Sequence, residues 1–415
     1  MAENQLYGYR WVILILAFLV HCGLQIAILI TMGMGHLMMG PAVGLTVTEF
    51  SMIATMPYLT GFLFGIVGGA WADRKSIRTV MIFGLAIASV GAVMRAFSMV
   101  FPVQLIASFF LGFSLAALNA NSAKLFRLWF PGRWTSIAMG IYILGATAGG
   151  GAIAMKVGPI LSDPQTGFMI GAVCTVACLV LWIVFGRTYP GGECEATEPM
   201  TKYLGIVLKN KYVWIISFVM FAAFGASIIE NNFLTAGMVE FTGSPDIAGS
   251  ISAVNMIAVG VGGVVMPIFL GYVKRLKPIF FAAAMCMAAT DVLVFLVPFG
   301  PFTWFLVAIQ GVFMGVILPL GKTLPALIPG VNPEHLGAVG GIQSSFQNLG
   351  AWVLPAYVVA PIATQVAGGS PLALMIGGGI VVALAGIFIL FLPNNTPASV
   401  KLDEPADTGN AEETA

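Results

Sequence analysis

Charge is what this sequence has least of. Asp, Glu, Lys and Arg make up 8% of its 415 residues, against about 25% in a soluble globular chain. With 59% hydrophobic residues and a mean hydropathy of +0.97, there is too little polar surface to cover a water-soluble body of this size. The net charge of +1 offers no basic patch to nucleic acid. The five cysteines, Cys22, Cys174, Cys178, Cys194 and Cys286, are scattered. They suggest neither a disulfide framework nor a metal site, and Cys174 and Cys178, one turn apart in an apolar run, read as small hydrophobes. There is no G-x-x-x-x-G-K-[ST], no H-E-x-x-H and no G-x-S-x-G on a strand–turn–helix. ATP-driven transport and intramembrane hydrolysis are thereby disfavoured; the chain is expected to be no enzyme and to carry no cofactor. The first apolar run, from Trp11, is too long for a signal-peptide core and lacks a small-residue cleavage site.

What is present is long apolar runs. A membrane-crossing helix needs about 20 apolar residues. Twelve runs qualify: 11–38, 50–72, 79–99, 102–125, 135–157, 167–186, 212–238, 248–271, 278–298, 302–326, 337–361 and 371–392. Glycines recur within them at spacings of three to five, as at Gly61, Gly65 and Gly69 or Gly140, Gly145 and Gly149. Such residues let helices approach closely in lipid.

Basic residues collect on one side of this pattern. Arg10, Arg74, Lys75, Arg78, Arg127, Arg133, Arg187, Lys202, Lys209, Lys211, Lys274, Arg275, Lys277 and Lys401 all fall in alternate loops or the termini. The positive-inside rule then puts both termini in the cytoplasm. The longest loop on that side divides the chain into residues 1–186, a linker 187–211 and residues 212–392, with a polar, acidic, disordered tail at 393–415.

The hairpin after the second run is Gly69-Ala70-Trp71-Ala72-Asp73-Arg74-Lys75-Ser76-Ile77-Arg78. Gly69 with Arg74 is echoed by Gly271 with Lys274 and Arg275, at an offset of 202 residues between the glycines. Lys124 precedes Pro131 by seven residues, and Lys322 precedes Pro329 by seven, at an offset of 198. The agreement suggests a duplication, and duplicated halves are a transporter signature, with the substrate between the repeats.

Twelve runs, a six-plus-six division and a G-x-x-x-D-R hairpin resemble the major facilitator superfamily over about residues 8 to 393. Gly69, Asp73, Arg74 and Arg78 match that family's loop pattern; Ser76 stands where the family has glycine and Ile77 where it has arginine. Trp129-Phe130-Pro131-Gly132-Arg133 followed by Ala138-Met139-Gly140 is similar to the junction in organic-anion members of the oxalate/formate, monocarboxylate and nitrate/cyanate types. The resemblance implies an all-α membrane protein of twelve transmembrane helices in two pseudo-symmetric six-helix bundles. It also implies alternating access around a central site, with Gly69, Asp73, Arg74 and Arg78 as a gate.

Ionisable residues inside a span cost roughly 2.5–3.5 kcal/mol at the centre on insertion scales, so each needs a partner, a wet cavity or a function. Lys124 and Lys322 lie in spans that line the cavity in the family, and form a possible clamp for an anion; the alternative is that both snorkel to headgroups. Asn121, one turn before Lys124, shares its face. Glu230, beside Asn231 and Asn232, suits a proton carrier, or else pairs with a lysine. His21 and Gln25, Gln343 and Gln347, and Tyr142 are further substrate-binding candidates. Arg95 and Asp291, in peripheral spans, read as structural.

The expected protein is a secondary active transporter of the inner membrane. It would move a small organic solute, an anion such as a carboxylate, by proton coupling or exchange. The alternatives are a drug/proton antiporter or a solute sensor; the glycine-rich stretch Gly145 to Gly151 without proline weakens the first. Its partners would be the solute and the lipid bilayer, with a monomer as the expected state.

Overall fold

The computed structural model describes residues 2–131, 133–190, 205, 207–270, 275–329, 331 and 336–393. Most of the linker and nearly all of the tail expected at 393–415 lie outside these. At Gly69, Asp73 and Arg74 only the backbone is described.

Twelve helical paths cross the molecule. They are α1 (Ala2–Gly33), α2 (Val47–Arg74), α3 (Ile77–Phe97), α4 (Phe101–Trp129), α5 (Arg133–Leu144, continuing to Ile160), α6 (Pro164–Phe185), α7 (Lys211–Thr242), α8 (Pro245–Leu270), α9 (Leu276–Leu296), α10 (Pro301–Thr323), α11 (Leu336–Val353, continuing to Ala367) and α12 (Pro371–Phe388). Eleven are long and apolar enough to cross a membrane among the described residues. The remaining one, α2, is 28 residues long. The first apolar run is broken at Met34, after which Gly35–Met39 forms a separate short helix.

Local chemistry sets the helix ends. Thr46 caps α2: its hydroxyl accepts from the Glu49 N–H at 3.2 Å, and the Glu49 carboxylate accepts from the Thr46 N–H at 2.9 Å, a reciprocal capping box. Hydrogen bonds from the Thr46 backbone and hydroxyl hold the Glu49 carboxyl below its ordinary range. Ser76, where the family has glycine, caps α3 by accepting from the Thr79 N–H at 3.1 Å. The departure from the family pattern thus supplies a helix start.

The two bundles repeat one packing plan. In the first, α1 packs on α5 and α6, α3 on α4 and α6, and α2 on α4; in the second, α7 packs on α11 and α12, α9 on α10 and α12, and α8 on α10. Each pair maps onto its counterpart six helices later. The contacts between bundles obey the same symmetry: α2 meets α11 and α5 meets α8, while α1 meets α7.

Glycines make these approaches possible. A Cβ at Gly150 would lie 2.1 Å from the Cys22 carbonyl oxygen, and one at Gly350 would lie 2.0 Å from that of Phe221. The first pair joins α5 to α1 and the second joins α11 to α7. Both α5 and α11 also contain π-helical turns, at Gly145–Gly151 and Leu354–Val359. A wider turn releases backbone groups and is common at functional positions; here it recurs in both halves.

Arg95 is a structural hub. It is 2% exposed, donates to the Ala27 carbonyl at 3.3 Å, to the Thr31 hydroxyl and to Gln104 Oε1 at 3.3 Å, and stacks 4.4 Å from the Phe168 ring. One guanidinium thereby ties together α1, α3, α4 and α6. We expect Arg95→Met to strip these acceptors of their donor and cost about 2 kcal/mol or more. The thermal unfolding midpoint of the detergent-solubilised protein should fall by several degrees; an unchanged midpoint would refute the hub.

Candidate functional site between the bundles

An even number of crossings puts the start of α1 and the end of α12 on one face. Between described residues, the hydrogen bonds joining the bundles lie towards the opposite face. Lys156 Nζ donates to Asp246 Oδ1 at 2.5 Å, to the Asp246 carbonyl at 3.2 Å and to Ser250 Oγ at 2.8 Å. Thr235 Oγ1 meets Met155 Sδ at 3.4 Å, and Thr55 Oγ1 meets the Trp352 carbonyl at 3.5 Å. Nearer the centre, Asn348 sits against Gly61 and Tyr58 stacks edge-on to Phe224 at 5.8 Å.

Lys322 ends α10 on the side of the termini. It is exposed, yet enclosed by protein and within electrostatic reach of the His21 ring. His21 belongs to α1, in the other bundle, so the lysine and the imidazole are near one another across the two halves. His21 is 8% exposed. Its Nδ1 lies 3.0 Å from the Tyr142 carbonyl oxygen, and the two rings stack at 4.0 Å. Tyr142, on α5, has its hydroxyl beside Ser122.

The other candidates divide between surfaces. Asn121 is 2% exposed, donates to the Ala117 carbonyl of its own helix at 2.8 Å, and faces a small recess inside the first bundle lined by Ile77, Met81, Ser122, Tyr142 and Trp182. Lys124 is half-buried and has an interaction of its own. Gln25, one turn from His21, has a buried Oε1 without a protein partner and lies against Gly150 of the π-helical turn. Gln343 donates to the Gly321 carbonyl at 2.8 Å. Pro325 has no N–H to offer that carbonyl, so Gln343 fastens α11 beside Lys322. Gln347 is half-buried one turn further on.

Gly69, Asp73 and Arg74 occupy the last turns of α2. Arg78 donates to the Ile183 carbonyl at 3.0 Å, a cation at the carboxyl end of α6.

Glu230 and Asp291 are at 1% and 0% exposure. Glu230 Oε1 accepts from Asn255 Nδ2 at 2.7 Å, and Asp291 Oδ1 accepts from Gln310 Nε2. The Glu230 partner is therefore an amide of α8 and not a lysine. Asn255 and Gln310 carry no charge and lie on other helices, so no sequence signal singled them out.

A family model described as Major Facilitator Superfamily matches residues 13–355. This chain belongs to the major facilitator superfamily. It is 25% identical over 355 residues to a probable nitrate/nitrite antiporter, NarK1, of Thermus thermophilus, covering 75% of this chain and 76% of that one. Among solved structures it resembles the nucleoside transporter NupG, with a TM-score of 0.74 and 16% identity over 92% of this chain and 99% of that chain. It also resembles a bacterial homologue of the lysosomal transporter Spinster in an inward-facing, occupied conformation, with a TM-score of 0.71 and 16% identity over 92% and 96%. As a major facilitator protein it is a multi-pass membrane transporter of a small-molecule solute, and not an enzyme.

The Lys156–Asp246 pair is the ion pair between described residues that bridges the bundles, with side chains 37% and 70% exposed. Such pairs contribute roughly 0.2–1 kcal/mol. Lys156→Ala and Asp246→Ala should each open the opposite face about twofold to fivefold more often. Met256→Cys, whose position faces Gly151 across the closed contact, would report this as faster reaction with an impermeant thiol reagent. An unaltered rate would show that the pair is no latch.

Proposed function

We propose that the chain moves a small anion, of nitrate or small-carboxylate class, through the space around Lys322 by alternating access. The observation that carries this reading is Lys322 itself, an exposed lysine within protein walls and in reach of His21 on the opposite bundle. An ammonium in a site partly shielded from water attracts an anion more strongly than one in bulk solvent. Tyr142 holds His21 in place by stacking and through its carbonyl, and Gln343 holds the end of α10. Gln25 and Gln347 supply amides on the facing helices. Lys124 would complete the first bundle's share, whereas Asn121, turned into the interior of that bundle, leaves the set. The resemblance to a probable nitrate/nitrite antiporter points to the same anion class.

The basic loops favour an inner-membrane protein, read as a monomer, with both termini in the cytoplasm. On that orientation the face carrying the inter-bundle hydrogen bonds is external, which supports an inward-open reading. Gly69, Asp73, Arg74 and Arg78 then form the cytoplasmic gate that must close in the alternate state. Coupling is assigned to Glu230, by proton binding, or to return of a second anion.

Proteoliposome uptake with a panel of nitrate, nitrite, formate, oxalate and a neutral nucleoside tests this. Anions should move and the nucleoside should not. Lys322→Gln should lower anion uptake about tenfold or more, the loss of one charge-assisted contact. Unimpaired uptake in Lys322→Gln, or preference for the nucleoside, would overturn the reading. Asp73→Asn should raise the fraction of protein open to the cytoplasm, read as labelling of a cavity cysteine from that side.

A further inference from the structure

Among the described residues, the second bundle holds two buried carboxyl groups and nothing basic beside them to neutralise them. Glu230 on α7 and Asp291 on α9 are within electrostatic reach of each other. Ile229, beside Glu230, and Asp291 Oδ2 both border Gly378 of α12, at 3.1 and 3.7 Å from where its Cβ would stand. The charged residues of the packed helices lie elsewhere. In α8 there is Asp246 alone, at the opposite face; in α10, Lys322 alone, about three turns from Gln310 at the last turn. Lys277 is at the start of α9, Lys211 at the start of α7 and Glu240 near its end, and the described parts of α11 and α12 have no charged residue. Two bare carboxylates in such surroundings would repel each other without compensation.

The hydrogen bonds show how the groups are held. Asn255 Nδ2 donates both to Glu230 Oε1 at 2.7 Å and to the Val307 carbonyl at 3.3 Å. Gln310, one turn after Val307, donates to Asp291 Oδ1. Helices α7, α8, α10 and α9 are thus strung on one polar chain. It leaves one oxygen of each acid, Glu230 Oε2 and Asp291 Oδ2, buried without a partner. Buried acceptors of this kind call for a donor.

We infer that Glu230 and Asp291 act as one site that holds a single shared proton, with Asn255 and Gln310 as positioning residues. One acid carries the proton and is neutral; the other keeps the negative charge, held by its amide donor, and that charge favours retention of the proton by its neighbour. The inference rests on Glu230 being the coupling group and adds Asp291, which the sequence had marked as structural. Release of the proton would restore two negative charges and loosen the link between four helices, a change large enough to bias their packing.

The test is infrared titration of the purified full-length protein, following the protonated-carboxyl band in wild type, Glu230→Gln and Asp291→Asn. It needs no transported solute, so it stands or falls apart from the anion reading. In wild type, loss of the band should release one proton per protein. In each single variant the surviving acid should bind its proton about tenfold or more weakly, because its negative neighbour is gone. Glu230→Asp and Asp291→Glu, which keep both acids, should titrate with the wild-type stoichiometry and serve if the amide variants do not fold. An unmoved titration of the surviving acid would overturn the shared site. So would loss of the wild-type band on adding sodium at constant pH, which would make the occupant a metal ion.

Discussion

In the hydrocarbon core no water is at hand to satisfy a polar group, so each one must find its partner within the protein. The architecture follows from that constraint. Backbone groups are paired inside helices, and the helices come together through glycines because lipid removes the usual hydrophobic drive. Gly150 against Cys22 and Gly350 against Phe221 are the same solution used once in each half. Arg95 shows the constraint met in full, with three oxygen acceptors and an aromatic face.

The groups proposed to function are those for which the constraint is met in part. Lys322 is exposed, in electrostatic reach of His21 on the other bundle. Glu230 and Asp291 each have one oxygen satisfied and one not. Helix α10 carries a group at both places: Gln310 in its middle meets Asp291, and Lys322 is in its last turn. A change of charge at the acids and the occupancy of the anion site would therefore act on one helix. That gives a transporter a direct mechanical route for coupling.

Much of this was legible in the sequence. Charge depletion and the length of the apolar runs give the membrane class and the twelve crossings. The matched positions of Lys124 and Lys322 point to a duplication that the repeated packing displays. The hairpin motif named the family. The two π-helical turns were legible only as weak places in a helix: Pro355 in Leu354–Val359 and four glycines in Gly145–Gly151 mark where a regular α-helix is disfavoured, without saying which turn replaces it. The orientation of Asn121 was not legible: residues three apart share a helical face broadly, yet Asn121 turns into the bundle interior. The partners of Glu230 were hidden because Asn255, Asp291 and Gln310 lie 25 to 80 positions away on three other helices, and one sequence carries no information on which helices touch.

The central claim is that Lys322 and His21 face one anion from opposite bundles. A density map of the protein in lipid nanodiscs, with a saturating small anion that it transports, tests this most directly. The account predicts one anion between the Lys322 ammonium and the His21 ring, flanked by α1, α5, α10 and α11. An anion bound elsewhere in the central space, with Lys322 turned to the lipid headgroups, would contradict it.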